Sequence, residues 1–111
     1  MKSGVWLIVI LHALLFSQVA HARAGWTDYV NIAELVPTAR HYYEFRLPVK
    51  VNPSGCKDDT WFYQNYGSLG SEKMFDILLE GIKSGIRLRV YVTGVCNLSG
   101  YSEISSISII P

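Results

Sequence analysis

The stretch SEKMFDILLEGIKSGIRLRVYVTGVC, residues 71–96, decides the architecture, because its hydrophobic period changes once, at Gly85. Ser71 is a helix-capping residue type, whose hydroxyl accepts a hydrogen bond from a first-turn amide. Glu72 in the first turn and Lys83 in the last both match the helix dipole. Met74, Phe75, Leu78, Leu79 and Ile82 recur at three- and four-residue spacing and make one apolar stripe, with Asp76, Glu80 and Lys83 on the other side. Gly85 supplies the left-handed residue that ends many helices. Beyond it Ile86, Leu88, Val90 and Val92 alternate with Arg87, Arg89, Tyr91 and Thr93, the pattern of a half-buried strand that runs to Cys96.

Far upstream, Lys2 precedes an almost wholly apolar run over 5–16, and small residues follow in Ala20-His21-Ala22 and Ala22-Arg23-Ala24. That is the grammar of a secretory signal peptide. The run falls well short of the roughly 20 residues needed to span a bilayer. We expect residues 1–24 to be the signal peptide and 25–111 one domain, with cleavage after Ala22 as the alternative, and a secreted or periplasmic product. Lys2 and Arg23 leave with the leader, so 25–111 holds eight basic residues against nine acidic ones. This balance argues against a nucleic-acid binder, which would carry a basic excess. No second apolar run is long enough to span a membrane. Two cysteines remain, Cys56 and Cys96, and an even count in an exported chain reads as one disulfide. Closing that loop removes roughly 4 kcal/mol of unfolded-state freedom in the chain-entropy model.

The rest of the domain is read as strands. Residues 26–36 mix aromatic and β-branched types and form a first strand. Over 41–51, His41, Tyr43, Phe45, Leu47, Val49 and Val51 alternate with polar residues, and Pro48 needs an edge or a bulge. His41 heads that apolar face and reads as a packed or capping histidine. Residues 60–64 (TWFYQ) form a third strand, and 101–110 a last one with Ile107 and Ile109 on one face. Three strands, a helix and two strands is the element order of a mainly β fold, a small five-stranded OB-type barrel with one α-helix between strands 3 and 4. An open α+β sheet with one packed helix is the second architecture this order allows.

No catalytic constellation stands out: there is no GxSxG, no HExxH and no phosphate-cradling glycine loop. Asp58-Asp59 is a very weak metal signal. We therefore expect a non-enzymatic protein with no metal and no cofactor. Aromatics are prominent instead. Parity puts Trp61 and Tyr63 together on one face of their strand, and Tyr91 on the outward face with Arg87 and Arg89. Flat rings with a polar edge suit sugars or a protein partner, and a guanidinium beside them suits a carboxylate. Trp61, Tyr63, Arg89 and Tyr91 are thus the candidate ligand-binding residues.

The apolar helix ending in Ser84-Gly85, the strand Leu88-Arg89-Val90-Tyr91 that follows, and the aromatic strand at 61–63 resemble the B subunit of subtilase cytotoxin and its secreted relatives. The resemblance implies the toxin-type OB fold, a homopentamer whose helices line a central pore, and outer faces that bind host sialoglycans; many such relatives are free-standing proteins without a catalytic A subunit, and nothing in this chain identifies one as its partner. It covers the mature chain in element order and about 20 residues in detail. The toxin strand has a second, sugar-contacting tyrosine where this chain has Val92, and its cysteine layout differs from Cys56–Cys96. The function expected is a secreted glycan- or host-surface-binding module. The alternative is a monomeric exported inhibitor or envelope protein that turns the same aromatics on a protein target.

Overall fold

The computed structural model describes residues 23–111; residues 1–22 of the expected 1–24 signal peptide, with the alternative cleavage site after Ala22, lie outside the described residues. The elements are β1 (Gly25–Trp26), β2 (Val30–Asn31), β3 (Glu34–Val36), β4 (Tyr42–Arg46), β5 (Trp61–Asn65), α1 (Ser71–Ser84), β6 (Arg87–Cys96) and β7 (Ser102–Ile110). Among the described residues the fold is mainly β with one helix, between β5 and β6. Their single sheet runs β1-β6-β7-β5-β4-β3, with β2 also on β6, and only β5 and β7 pair in parallel. The sheet is thus seven-stranded and open, where five strands were expected.

The extra strands come from the break-up of the first one. Gly25 and Trp26 pair with Val92 and Tyr91, and Val30 and Asn31 with Leu88 and Arg87. Between them Thr27 turns inward and its hydroxyl accepts the Val90 N–H at 3.2 Å, in place of a regular ladder bond. Asp28 turns away to accept the Lys50 and Val51 N–H groups. The chain then crosses over, and Glu34–Val36 pairs with β4.

The alternation over 41–51 marks burial better than strand. Tyr43, Phe45, Leu47 and Val49 are all buried, yet the β4 ladder stops at Arg46, two residues short of Pro48. His41 is exposed rather than packed; what it contributes is its carbonyl, which accepts the Tyr66 N–H at 2.8 Å. Ser71 is not the cap. Gly70 occupies that position with a φ of 80°, no side chain caps the end, and Ser71 is buried as the first helical residue. The other end matches expectation: Gly85 is left-handed (φ 67°) and its N–H bonds the Gly81 carbonyl.

The core lies between the inner sheet face and α1. It comprises Tyr43, Phe45, Leu47, Val49, Phe62, Leu88, Val90, Val92 and Ile104, with Leu78 from the helix. The helix sits close because residue 81 is glycine, where a Cβ would come 3.1 Å from Leu88 and 3.2 Å from Ile32. Only Leu78 of the apolar stripe is fully buried; Met74 and Phe75 are half-buried, and Leu79 and Ile82 stay exposed. The Cys56–Cys96 disulfide is formed and ties the 52–60 loop to the end of β6. Among the described residues no helix is long and apolar enough to cross a membrane.

Candidate functional site: two aromatic clusters on the outer sheet face

With Leu88, Val90 and Val92 turned to the core, β6 must present Arg87, Arg89, Tyr91 and Thr93 outward. Register then sets their neighbours: Tyr91 opposite Trp26 and Ser106, and Arg89 opposite Ser108. The Arg89 guanidinium carbon lies 4.5 Å from the Trp26 ring centre and 4.8 Å from that of Tyr29, so two rings hold the group by cation–π attraction. Trp26 meets Tyr91 edge to face at 5.3 Å, and the Tyr29 hydroxyl is anchored to Ser108 Oγ at 2.8 Å. Arg89 Nε is buried and has no hydrogen-bond partner among the described residues. Among the described residues the one ion pair is Arg40–Glu44, so no protein carboxylate neutralises Arg89.

A second cluster occupies the same sheet face across β7. Register places Arg46 opposite Trp61, Glu44 opposite Tyr63, and Tyr63 beside Glu103. Trp61 stacks on Tyr101 at 5.4 Å with 18° between planes, and Tyr42 meets Tyr63 edge to face at 5.8 Å. Arg40 lies over Tyr42 while pairing with Glu44 at 3.3 Å. These neighbours leave Tyr63 only 5% exposed, although it faces away from the core. Burial, then the Glu103 carboxylate, pushes the Tyr63 phenol above its ordinary pKa. Burial, followed by the charges of Glu44 and Asp58, does the same for Tyr101. Both phenols therefore stay neutral donors in an acidic surround. Asp58 itself is occupied as a turn cap, accepting the Thr60 and Trp61 N–H groups at 3.0 and 3.1 Å.

The four sequence-derived site residues thus divide. Arg89 and Tyr91 belong to one cluster, Trp61 and Tyr63 to the other, and of these Tyr63 supplies a wall rather than accessible surface. Sequence reading missed Trp26 and Tyr29 as partners of Arg89. Their spacing is visible, but the inward turn at Thr27, which brings both rings to one side, leaves no mark in periodicity. Among the described residues no group of three His, Cys, Asp or Glu side chains converges as for a metal ion. No protein-family model, curated protein or solved structure matches the chain.

Proposed function

We propose that the protein is an exported, non-enzymatic binding module for acidic glycans, built as an OB-type barrel and resembling a toxin B subunit. The barrel reading is supported by the 25–36 segment, which pairs with β6 at its head and β4 at its tail, and by the parallel β5–β7 contact. The observation that carries the function is Arg89: a guanidinium held by two rings, with one buried nitrogen that has no partner and no carboxylate against it among the described residues. Such a group is desolvated and oriented in advance, and a ligand carboxylate is its natural complement. Tyr91 and Trp26 offer ring surface to the sugar beside it, and the Trp61–Tyr101 stack offers a second platform.

A glycan array with the oxidised 25–111 protein tests this. Binding should concentrate on carboxylate-bearing glycans and fall with Arg89→Met and Tyr91→Ala, and, for the second platform, with Trp61→Ala. Unchanged binding by Arg89→Met and Tyr91→Ala refutes the site.

The exposed Leu79 and Ile82 on α1 favour a protein contact as well. We read it as the contact of a homopentameric ring, which multiplies weak sites by avidity and would present one face to an A subunit. Light scattering at micromolar concentration should give the mass of five chains. A monomer would sink the multivalent reading and favour a protein-binding inhibitor or envelope protein.

A further inference from the structure

The outer sheet face is divided by charge as well as into two aromatic clusters. Register places Asn31 and Ile110 on either side of Arg87, and Ser108 opposite Arg89. This end of the face therefore carries two guanidinium groups, and none of the residues paired with them is acidic. Asp28, the nearest acid along β1 and β2, is turned away and accepts the Lys50 and Val51 N–H groups. Glu103 is fixed toward the other end, where Thr93 Oγ donates to its Oε1 at 2.9 Å. Thr93 lies four residues beyond Arg89 on β6, about 13 Å away by strand rise.

Arg87 and Arg89 are alternate residues of one strand, so their side chains leave the same face about 7 Å apart at the backbone. They differ in how they are held. Arg89 is clamped by Trp26 and Tyr29, whereas Arg87 is exposed. Neither forms an ion pair among the described residues. Like charges this close repel, and no carboxylate among the described residues offsets the repulsion. An oxyanion does, because a planar guanidinium grips it through paired N–H bonds.

We propose that Arg87 is a second anion subsite beside Arg89, so that the glycan bound carries two anionic groups on one sugar or on adjacent sugars. The first is the carboxylate at Arg89, and the second is a further carboxylate or a sulfate ester at Arg87. The proposal rests on the acidic-glycan reading of Arg89 and adds to it the number and spacing of the ligand's charges. The clamped Arg89 fixes the first group, and the free Arg87 side chain reaches the second without a strict distance. Its contribution is exposed to solvent, so it is smaller than that of Arg89 and falls with salt. A singly charged sugar leaves Arg87 in water and gains nothing from it.

The test is a calorimetric titration of the oxidised 25–111 protein with two pairs of probes. One pair is the chondroitin disaccharide without sulfate and with a 6-sulfate, which reports a sulfate ester. The other is galacturonate and digalacturonate, which reports a second carboxylate. In at least one pair the doubly charged member should bind about three- to tenfold tighter. Arg87→Gln should remove that advantage and leave the affinity of the singly charged member unchanged, and added salt should shrink it. Arg87 is exposed, so Arg87→Gln should keep the wild-type urea midpoint. No advantage in either pair, an advantage that survives Arg87→Gln, or no binding of any probe overturns the proposal. Arg89→Met separates the two failures. If it weakens every probe while Arg87→Gln changes nothing, the acidic-glycan reading stands without a second subsite; if it weakens none, that reading falls as well.

Discussion

Replacing Arg89 by methionine separates a residue kept for binding from one kept for folding. The guanidinium touches two rings, and losing both cation–π contacts costs about 1–3 kcal/mol in all. Against this, the buried Nε has no partner among the described residues, and removing an unsatisfied buried donor regains about 1–3 kcal/mol. Methionine also fills the slot between Trp26 and Tyr29 and keeps sulfur–aromatic contacts. The two effects nearly cancel, so Arg89→Met should unfold in urea within about 1 kcal/mol of wild type, a melting shift of no more than about 8 °C. Binding should behave oppositely. A charge-assisted hydrogen bond contributes about 1.5–3 kcal/mol, so affinity for a carboxylate-bearing glycan should drop at least about tenfold. Equilibrium urea denaturation with the disulfide intact, and calorimetric titration of the best array ligand, read the two arms. A loss of about 3 kcal/mol or more on Arg89→Met, with ligand affinity unchanged, would show that the rings hold the arginine for stability alone and would refute the reasoning.

Three further outcomes follow from the fold. Reducing Cys56–Cys96, or replacing both by serine, should lower stability by up to roughly 4 kcal/mol, read as a shift of the urea midpoint at constant pH. Leu78→Ala empties the one fully buried helix position and should cost about 2–5 kcal/mol, whereas Ile82→Ala, at an exposed position, should stay within about 0.5 kcal/mol in the monomer. Desolvation acts to raise the Asp28 carboxyl, but the Val51 and Lys50 amides outweigh it and hold the carboxyl below its ordinary value. Its contribution is therefore present above the unfolded pKa and lost as pH falls through the lower folded one, so acid unfolding below about pH 4 should be less steep in Asp28→Asn.

The helix–strand unit was legible because each of its signals is local. Gly85 ends α1 as expected, and Leu88, Val90 and Val92 are buried in strict alternation. The disulfide needed only two cysteines and the expectation of export. What the sequence hid depends on atoms far apart in the chain. Thr27 breaks the first strand because its hydroxyl reaches Val90, 63 residues away, which no window over 26–36 can register. Ser71 loses the cap because Gly70 takes it, and His41 is left outside because β4 begins one residue later. The candidate site divided for the same reason. Parity along β5 and β6 placed Trp61, Tyr63, Arg89 and Tyr91 on the outer face, but which residues stand beside them is decided by pairing across β7 and β1.

That pairing also explains why the Arg89 cluster stays open. On the outer face β7 contributes Ser106 beside Tyr91 and Ser108 beside Arg89, the smallest hydroxyl side chains in a strand otherwise rich in isoleucine. Ser108 is spent holding Tyr29, so it fixes one plate of the arginine sandwich without rising over it. Two-ring capture orients Arg89 and buries its Nε. A stabilising device would instead have paired the buried Nε. The arrangement leaves the buried Nε a donor without an acceptor among the described residues, and under the proposed function a ligand carboxylate would meet the outer guanidinium nitrogens beside it.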